Sequence, residues 1–418
     1  MQHEQNWITL AETLGPRSHA LKPLLAHFGT PEAIFAATEE EILTVLPGLG
    51  RGTLTALLRS SRAEEARRIT QWCHRNGVAI LTYDSEDYPA RLRAIDEPPA
   101  VLYCRGRLPQ LDDRMVLAVV GPRKADAYGE DVAYKLSFEL AAAGVLIVSG
   151  MADGIDGVAA AAAISAGGET VAVLGCGIDI VYPSHHTRLA SEILERGAIL
   201  TEYAPGTKPY GYNFPVRNRI ISALSGAVLI PEAGEDSGAM ITARYALVQG
   251  KELFAVPGDI NNPRSAGTNR LLLNGASMAL TAEDVLSSFR FLYHDSINEK
   301  ALLESVQHSV LTKDVARRFG LHLAPRDDTP APEAKKKRSF LKKSREVEKP
   351  AAPVLREPDL SSLSPRQREL FALLPNTPFT VDVLTAAGVG VAEAAACLTV
   401  LEIYGLLTSV PGGMYQKK

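Results

Sequence analysis

The sequence predicts an α/β protein with a parallel sheet, a small helical domain ahead of it and a winged-helix-like domain behind it. Three observations carry this. Between residues 111 and 288, near-continuous apolar runs alternate with helical patterns, as expected for a parallel sheet covered on both faces. Before that region, apolar residues fall at helical spacing and are broken by glycine and proline. After residue 360, three helical patterns precede a glycine-interrupted hairpin pattern.

Composition bounds the answer. A chain of 418 residues has room for two to four domains. Hydrophobic content of 46% and charge of 22% are ordinary for globular proteins. The net charge of −4 gives no global attraction for nucleic acid, so such a function must rest on a local basic patch. The four cysteines, Cys73, Cys104, Cys176 and Cys397, are scattered without a CxxC pair. That fits a reducing cytoplasm and argues against a disulfide framework or a cysteine zinc site. The first five residues show no signal-peptide pattern, and no apolar run reaches the ~18 residues of a membrane span. A cytoplasmic protein without membrane contact is expected.

From Trp7 to Ser60 the breaks at Gly15-Pro16, Gly29-Thr30-Pro31 and Pro47-Gly48-Leu49-Gly50 predict four or five short helices. The stretch Leu46 to Leu54 resembles the hairpin of a helix-hairpin-helix motif, whose glycines expose amides to a DNA phosphate. Only Arg51 and Arg59 are basic nearby, which favours a purely structural turn. A helix over 63–75 stops at Asn76-Gly77, and Val78 to Thr82 reads as a strand. Pro89, Pro98 and Pro99 then fix an extended connector leading to a short strand.

In the α/β region, strands are expected at 115–120, 145–148, 170–174, 198–202, 227–230 and 252–256. Helices are expected at 129–143, 155–166, 185–196, 216–224 and 239–249. Ligands of such sheets bind beyond the carboxyl ends of the strands. The residues there are Gly121-Pro122-Arg123-Lys124, Ser149-Gly150-Met151-Ala152, Gly175-Cys176-Gly177, the run from Tyr203 to Arg219, Pro231-Glu232-Ala233-Gly234 and Pro257-Gly258. The glycine-rich turn after Ser149 opens a helix, where unpaired amides offer a phosphate site. Asp153 and Asp156 are expected to cap that turn rather than touch a ligand; a tight turn with no ligand is the alternative. Arg123, Lys124, Lys208, Arg217 and Arg219 gather at this edge, and no acid lies between Ala204 and Leu224. The densest stretch runs from Asn213 to Ser225. In it Phe214 offers a stacking face beside Arg217, Asn218 and Arg219, and Pro215 suits a first helical turn. Alternatively, Phe214 is core and Arg217 pairs with a carboxylate such as Glu232.

Several patterns are missing. The P-loop pattern is absent, as is Gly-x-Gly-x-x-Gly after the first strand. The nine histidines show no metal spacing, and His185-His186 reads as a solvent-facing first helical turn. Cys176 reads as packing. No paired carboxylates stand ready for acid/base work. The residues therefore describe a phosphate or nucleotide binder with no catalytic residues, no metal and no cofactor.

At this point the chain resembles a family. Tyr88-Pro89, Pro98 to Tyr103, Gly121-Pro122-Arg123, Ser149 to Asp156, Phe214 to Ile221, Ser237 to Ala243 and Phe254 to Gly258 follow the signature order of the DprA/Smf family, the DNA-processing proteins A of bacterial natural transformation. The resemblance spans roughly residues 5–288 and the C-terminal module. It implies an extended Rossmann-like core at 81–288, preceded by a small helical domain of SAM or helix-hairpin-helix type at 1–80. A variable segment and flexible linker at 289–360 and a winged-helix-like domain at 361–418 would follow. It implies a homodimer that binds and protects single-stranded DNA and loads the recombinase RecA onto it, without enzymatic activity. Family contacts to DNA map onto Gly121, Pro122, Arg123, Ser149, Gly150, Met151, Phe214, Arg217 and Arg219, with Asn218 in the same stretch. Relatives often carry a basic residue just before the Phe; Gly211-Tyr212-Asn213 stands here, and Lys208 is the candidate substitute.

From Leu321 to Asp359 the chain is rich in Pro, Lys and Glu and reads as a linker. Lys335-Lys336-Lys337-Arg338 reads as a solvated spacer. The tail's third helical pattern, from Val391 to Tyr404, has no Arg, Lys, Asn or Gln to read base edges, so a protein-contact or structural role is expected for the tail. Two rival functions remain at this stage. One is a nucleotide-processing enzyme of phosphoribohydrolase type, although Pro231 to Gly238 lacks the Pro-Gly-Gly-x-Gly-Thr pattern of those enzymes. The other is a duplex-binding regulator acting through the tail.

Overall fold

The computed structural model describes residues 1–325 and most of 365–417. The chain divides into two compact units, Met1–Pro332 and Glu333–Lys418.

The first unit opens with six helices: α1 (Gln2–Leu14), α2 (Leu21–Phe28), α3 (Pro31–Ala36), α4 (Glu39–Val45), α5 (Arg51–Leu58) and α6 (Ala63–Arg75). Local chemistry sets their ends. Thr30 caps α3 with Pro31 at its first position, and Thr38 and Glu41 form a reciprocal capping box on α4. The apolar faces converge on Trp7, Leu24, Ile34, Leu57 and Cys73, all almost fully buried. This cluster is continuous with Val101, Tyr103 and Ile199 of the sheet, so the helices share a core with it.

The sheet alternates with helices in the expected order. Its strands are β1 (Ala79–Thr82), β2 (Val101–Gly106), β3 (Val116–Val119), β4 (Leu146–Ser149), β5 (Thr170–Val173), β6 (Gly197–Thr201), β7 (Ala227–Ile230), β8 (Glu252–Ala255) and β9 (Ser277–Met278). Between them run α7 (Ala90–Ala94), α8 (Ala127–Ala142), α9 (Ile155–Ser165), α10 (Thr187–Arg196), α11 (Asn213–Leu224), α12 (Gly238–Val248) and α13 (Ala266–Leu273), followed by α14 (Ala282–Ser287). The spatial order is β1-β2-β6-β5-β4-β3-β7-β8-β9. From β6 to β9 the neighbours pair in parallel, and β1 and β2 add antiparallel pairs at one edge. The central strands are buried on both faces, which is why they read as unbroken apolar runs.

One segment differs from expectation. Residues 289–325 fall in the stretch the sequence assigns to a variable segment and linker. Here α15 (Glu299–Ser305) and α16 (Lys313–Phe319) pack onto the α/β core. The Asn298 amide bonds Ala143 O at 2.8 Å, and the Ala324 amide reaches the buried Glu130 carboxylate at 3.0 Å. Leu302, Leu311 and Phe319 carry the burial. These apolar residues are too sparse to announce a helix but sufficient to seal one against an existing face. The expected linker beyond residue 325, with Lys335 to Arg338, lies outside the described residues.

The second unit contains α17 (Pro365–Leu373), α18 (Asp382–Ala386) and an antiparallel hairpin of β10 (Leu407–Val410) and β11 (Met414–Lys417). Of the expected third helix, Ala394, Cys397, Leu398 and Leu401 are helical and buried with Leu370, Phe379 and Leu384. Among the described residues no helix is long and apolar enough to cross a membrane. None of the four cysteines forms a disulfide, and all are buried.

Candidate nucleic-acid interface

The chain leaves β3 toward β4, β5 and β6 on one side of the sheet, then returns to lay β7 on the other side of β3. Such a reversal opens a crevice at the carboxyl ends of the two strands. A cleft of about 360 Å³ lies there. It is bounded by the loop after β3, the first turns of α11 and the N-terminal turn of α12.

The cleft is organised around Phe214. Its ring is half-buried, and the guanidinium carbon of the exposed Arg123 lies 4.4 Å from its centroid. Tyr182 stands 5.4 Å from Phe214 and 5.9 Å from the same guanidinium. Glycine makes this packing possible, because a Cβ on Gly175 would press to 2.8 Å from the Phe214 ring. A Cβ on Gly121 would overlap Ile155, so the loop carrying Arg123 lies directly on α9. A cation over a half-buried ring presents a flat face with a positive edge, suited to a base and its phosphate.

Beneath it lies Arg217, 3% exposed. Its Nη1 donates to Gly150 O at 2.9 Å and to Val173 O, and its Nε donates to Asn218 Oδ1 at 3.1 Å. Asp156 faces it, also buried, with its carboxylate held by the backbone amides of Ala152 and Gly150. Burial pushes the Asp156 carboxyl up and the Arg217 guanidinium down, and each is the main influence opposing the other's shift. A Cβ on Gly150 would strike both groups.

This corrects the expectation for the glycine-rich turn. The Gly150 and Ala152 amides are taken by Asp156, which ties down the turn, and α9 has no side-chain cap. Ser149 and Met151 also turn inward: Ser149 Oγ bonds Val119 O at 2.7 Å, and the Met151 side chain is fully buried at φ 53°. The pairing imagined for Arg217 with Glu232 is not made. Glu232 instead sits buried at the start of α8, accepting from the Asp126 amide at 3.1 Å, with Arg264 at 3.9 Å.

Arg219 departs furthest from expectation. It is 1% exposed and forms a bidentate pair with Glu202, at 2.5 and 2.6 Å, while its Nε donates to Glu97 O at 3.0 Å. It points away from the cleft because α11 places residues two apart on different faces. Lys208 is exposed on the loop before α11 and does not line the cleft. Of the residues expected at the site, the structure brings together Gly121, Pro122, Arg123, Phe214, Arg217 and Asn218 around one hollow. Ser149, Gly150 and Met151 support it from below, and Arg219 braces α11.

Two histidines also differ from expectation. His186 is buried, with Nδ1 3.1 Å from Met151 O, and burial lowers its pKa. His185 Nε2 lies 2.7 Å from Asp153 and stacks on His322 at 4.0 Å. The pair braces the glycine-rich turn rather than facing solvent. Asp153, His185 and His186 bring potential metal ligands within 4.8 Å of one another, but Asp153 and His185 already bond each other. Cys176 packs as expected: burial pushes its thiol up to about 11.

Sequence reading did not single out Tyr182, which packs against Phe214 and Arg123, or Thr242, which lines the cleft. Tyr182 lies in the loop after β5, where no spacing rule marks it. Thr242 is fully buried on α12 beside the cleft, and its Oγ1 has no hydrogen-bond partner. The position of α12 after β7, at the crevice, was the available signal.

Fold and cleft together define a doubly wound α/β protein with a cationic, aromatic ligand site at its topological switch point. Residues 79–290 match the family described as DNA recombination-mediator protein A, and residues 352–413 match the DprA winged helix domain. Protein Smf of Escherichia coli is 36% identical over 344 residues, covering 82% of this chain and 78% of its own. Protein Smf of Synechocystis is 31% identical, covering 99% and 98%. The X-ray structure of DNA processing protein A from Streptococcus pneumoniae superposes with a TM-score of 0.59 at 30% identity, covering 68% of this chain and 97% of that one. The chain belongs to the DprA/Smf family of DNA recombination mediators.

Proposed function

We propose that the protein binds and shields single-stranded DNA in the Arg123–Phe214 cleft and delivers it to the recombinase RecA during transformation and recombination, working as a homodimer and without catalysis. The stack of Arg123 on Phe214 carries the DNA-binding part. A half-buried ring can meet a base only if that base is unpaired and free to leave its own stack. Arg123, exposed beside it, supplies the phosphate contact. The reading of a binder rather than an enzyme is supported by the cleft's carboxylate, Asp156, which is committed to Arg217 and to backbone amides. Delivery to RecA and the homodimer are supported by family membership alone.

The test is fluorescence anisotropy with a labelled oligonucleotide, single-stranded and duplex, at two salt concentrations. Single strands should bind more tightly than duplex, with affinity falling as salt rises. Arg123→Ala should weaken binding and reduce the slope of log affinity against log salt by about 0.7. Equal duplex binding that survives Arg123→Ala would overturn the cleft as the working site. Light scattering that shows a monomer at working concentration would overturn the dimer.

A further inference from the structure

We infer that Tyr210 and Tyr212 form a second base-stacking subsite for the strand, a ridge on which it rests as it leaves the Arg123–Phe214 cleft. The inference rests on the single-strand reading above and extends it to residues outside the cleft.

The two rings are exposed, at 47% and 70%, and stack on each other 5.4 Å apart with only 7° between their planes. The loop beneath them is rigidly tied. The Tyr210 amide bonds Lys208 O at 2.8 Å, and the Asn213 amide bonds Tyr210 O at 3.0 Å. Asn213 Nδ2 reaches Gly175 O at 3.0 Å, and Tyr203 donates to Asn213 O at 3.2 Å. A pre-ordered aromatic pair loses little conformational entropy when a third ring joins the stack.

Position selects the occupant. Gly211, between the tyrosines, lines the cleft that holds Arg123 and Phe214. Tyr210 and Tyr212 themselves edge a second hollow of about 280 Å³. The pair is therefore the crest between two hollows, continuous with the first. The far hollow carries Glu12 and Glu202. Burial raises the Glu12 carboxyl, and Arg219 neutralises Glu202. The crest offers two aromatic faces and no charge of its own, with Lys208 exposed two residues before Tyr210 and Arg17 of the far hollow paired with Glu97, so the base is the part of the strand that fits the rings.

The experiment uses the full chain and four proteins: wild type, Tyr210→Ala/Tyr212→Ala, Tyr210→Phe/Tyr212→Phe and Arg123→Ala. Each is titrated against a single-stranded oligonucleotide and against the same length with an internal run of abasic nucleotides. The double alanine variant should lose about tenfold or more in affinity with its salt slope unchanged, since stacking and not charge is removed. The double phenylalanine variant should bind as wild type. On the abasic oligonucleotide, wild type and double alanine should converge. A double alanine variant that melts as wild type and binds normally would overturn the inference while leaving the cleft standing. An equal loss on both oligonucleotides would also overturn it, pointing to loop distortion instead. If wild type binds no single strand, or Arg123→Ala changes nothing, the cleft reading falls first and the ridge with it.

Discussion

Arg219 and Glu202 meet as a bidentate pair, 2.5 and 2.6 Å apart, with both side chains almost fully buried. A cation from the basic run ahead of β7 is thus removed from the ligand-binding edge and used to hold α11 against β6 and the connector at Glu97.

Replacing Arg219 with Ala should cost about 3–5 kcal/mol of stability, because Glu202 would be left buried without a counter-charge. Urea denaturation measures this directly. The folded fraction should keep its affinity for single strands, whereas a DNA-contacting arginine would show the reverse pattern.

Gly150→Ala tests the support beneath the cleft. Its Cβ would strike the Arg217 guanidinium and the Asp156 carboxylate together. Separating that pair should cost about 1–3 kcal/mol by overpacking and weaken DNA binding, since the loop and the cleft floor move as one. Denaturant melts and anisotropy on the same preparation would show both losses, and an unchanged melt would contradict this packing.

Phe214→Leu keeps apolar volume but removes the flat face. Affinity for single strands should fall by about 1–3 kcal/mol with the salt slope preserved. Arg123→Ala should instead lower the slope. Measuring both variants at several salt concentrations separates stacking from charge in one cleft.

Glu232 gives a pH signature. Burial, reinforced by its contact with Asp126, pushes its carboxyl up to about 7 from an ordinary value near 4.5. A raised acid favours folding when protonated, so its contribution is complete below pH 4.5 and is lost as pH rises through 7. The span is about 3 kcal/mol at most. Glu232→Gln should flatten this part of the stability–pH curve and melt higher than wild type at pH 8. An unchanged difference between pH 5 and pH 8 would show that the carboxylate is charged in the fold.

Much of the architecture was legible from local pattern. The strand at 227–230 and the helix at 63–75 match their expected bounds, because burial on two faces and a clean Asn76-Gly77 stop leave their marks in short windows of sequence. Residues 299–319 were not legible as helices, because their stability comes from a core built elsewhere. At the site, Gly121, Pro122, Arg123 and Phe214 could be placed from their position after a strand or at a helix start. Tyr182 and Thr242 could not, since Tyr182 reaches the Phe214 ring and Thr242 the cleft only through the packing of its own loop or helix.

The sequence alone determined the alternation of strand and helix, the glycine-rich carboxyl edge and the family's ordered motifs, all of which are written in neighbouring residues. Tertiary structure decided which cations remain available to a ligand. Lys208, Arg217 and Arg219 lie close together on the chain, yet Arg217 is countered by Asp156 from the first turn of α9 and Arg219 by Glu202 from just beyond β6. A charge matters to a ligand only if no opposite charge already holds it, and those opposing charges come from parts of the chain that only folding brings near.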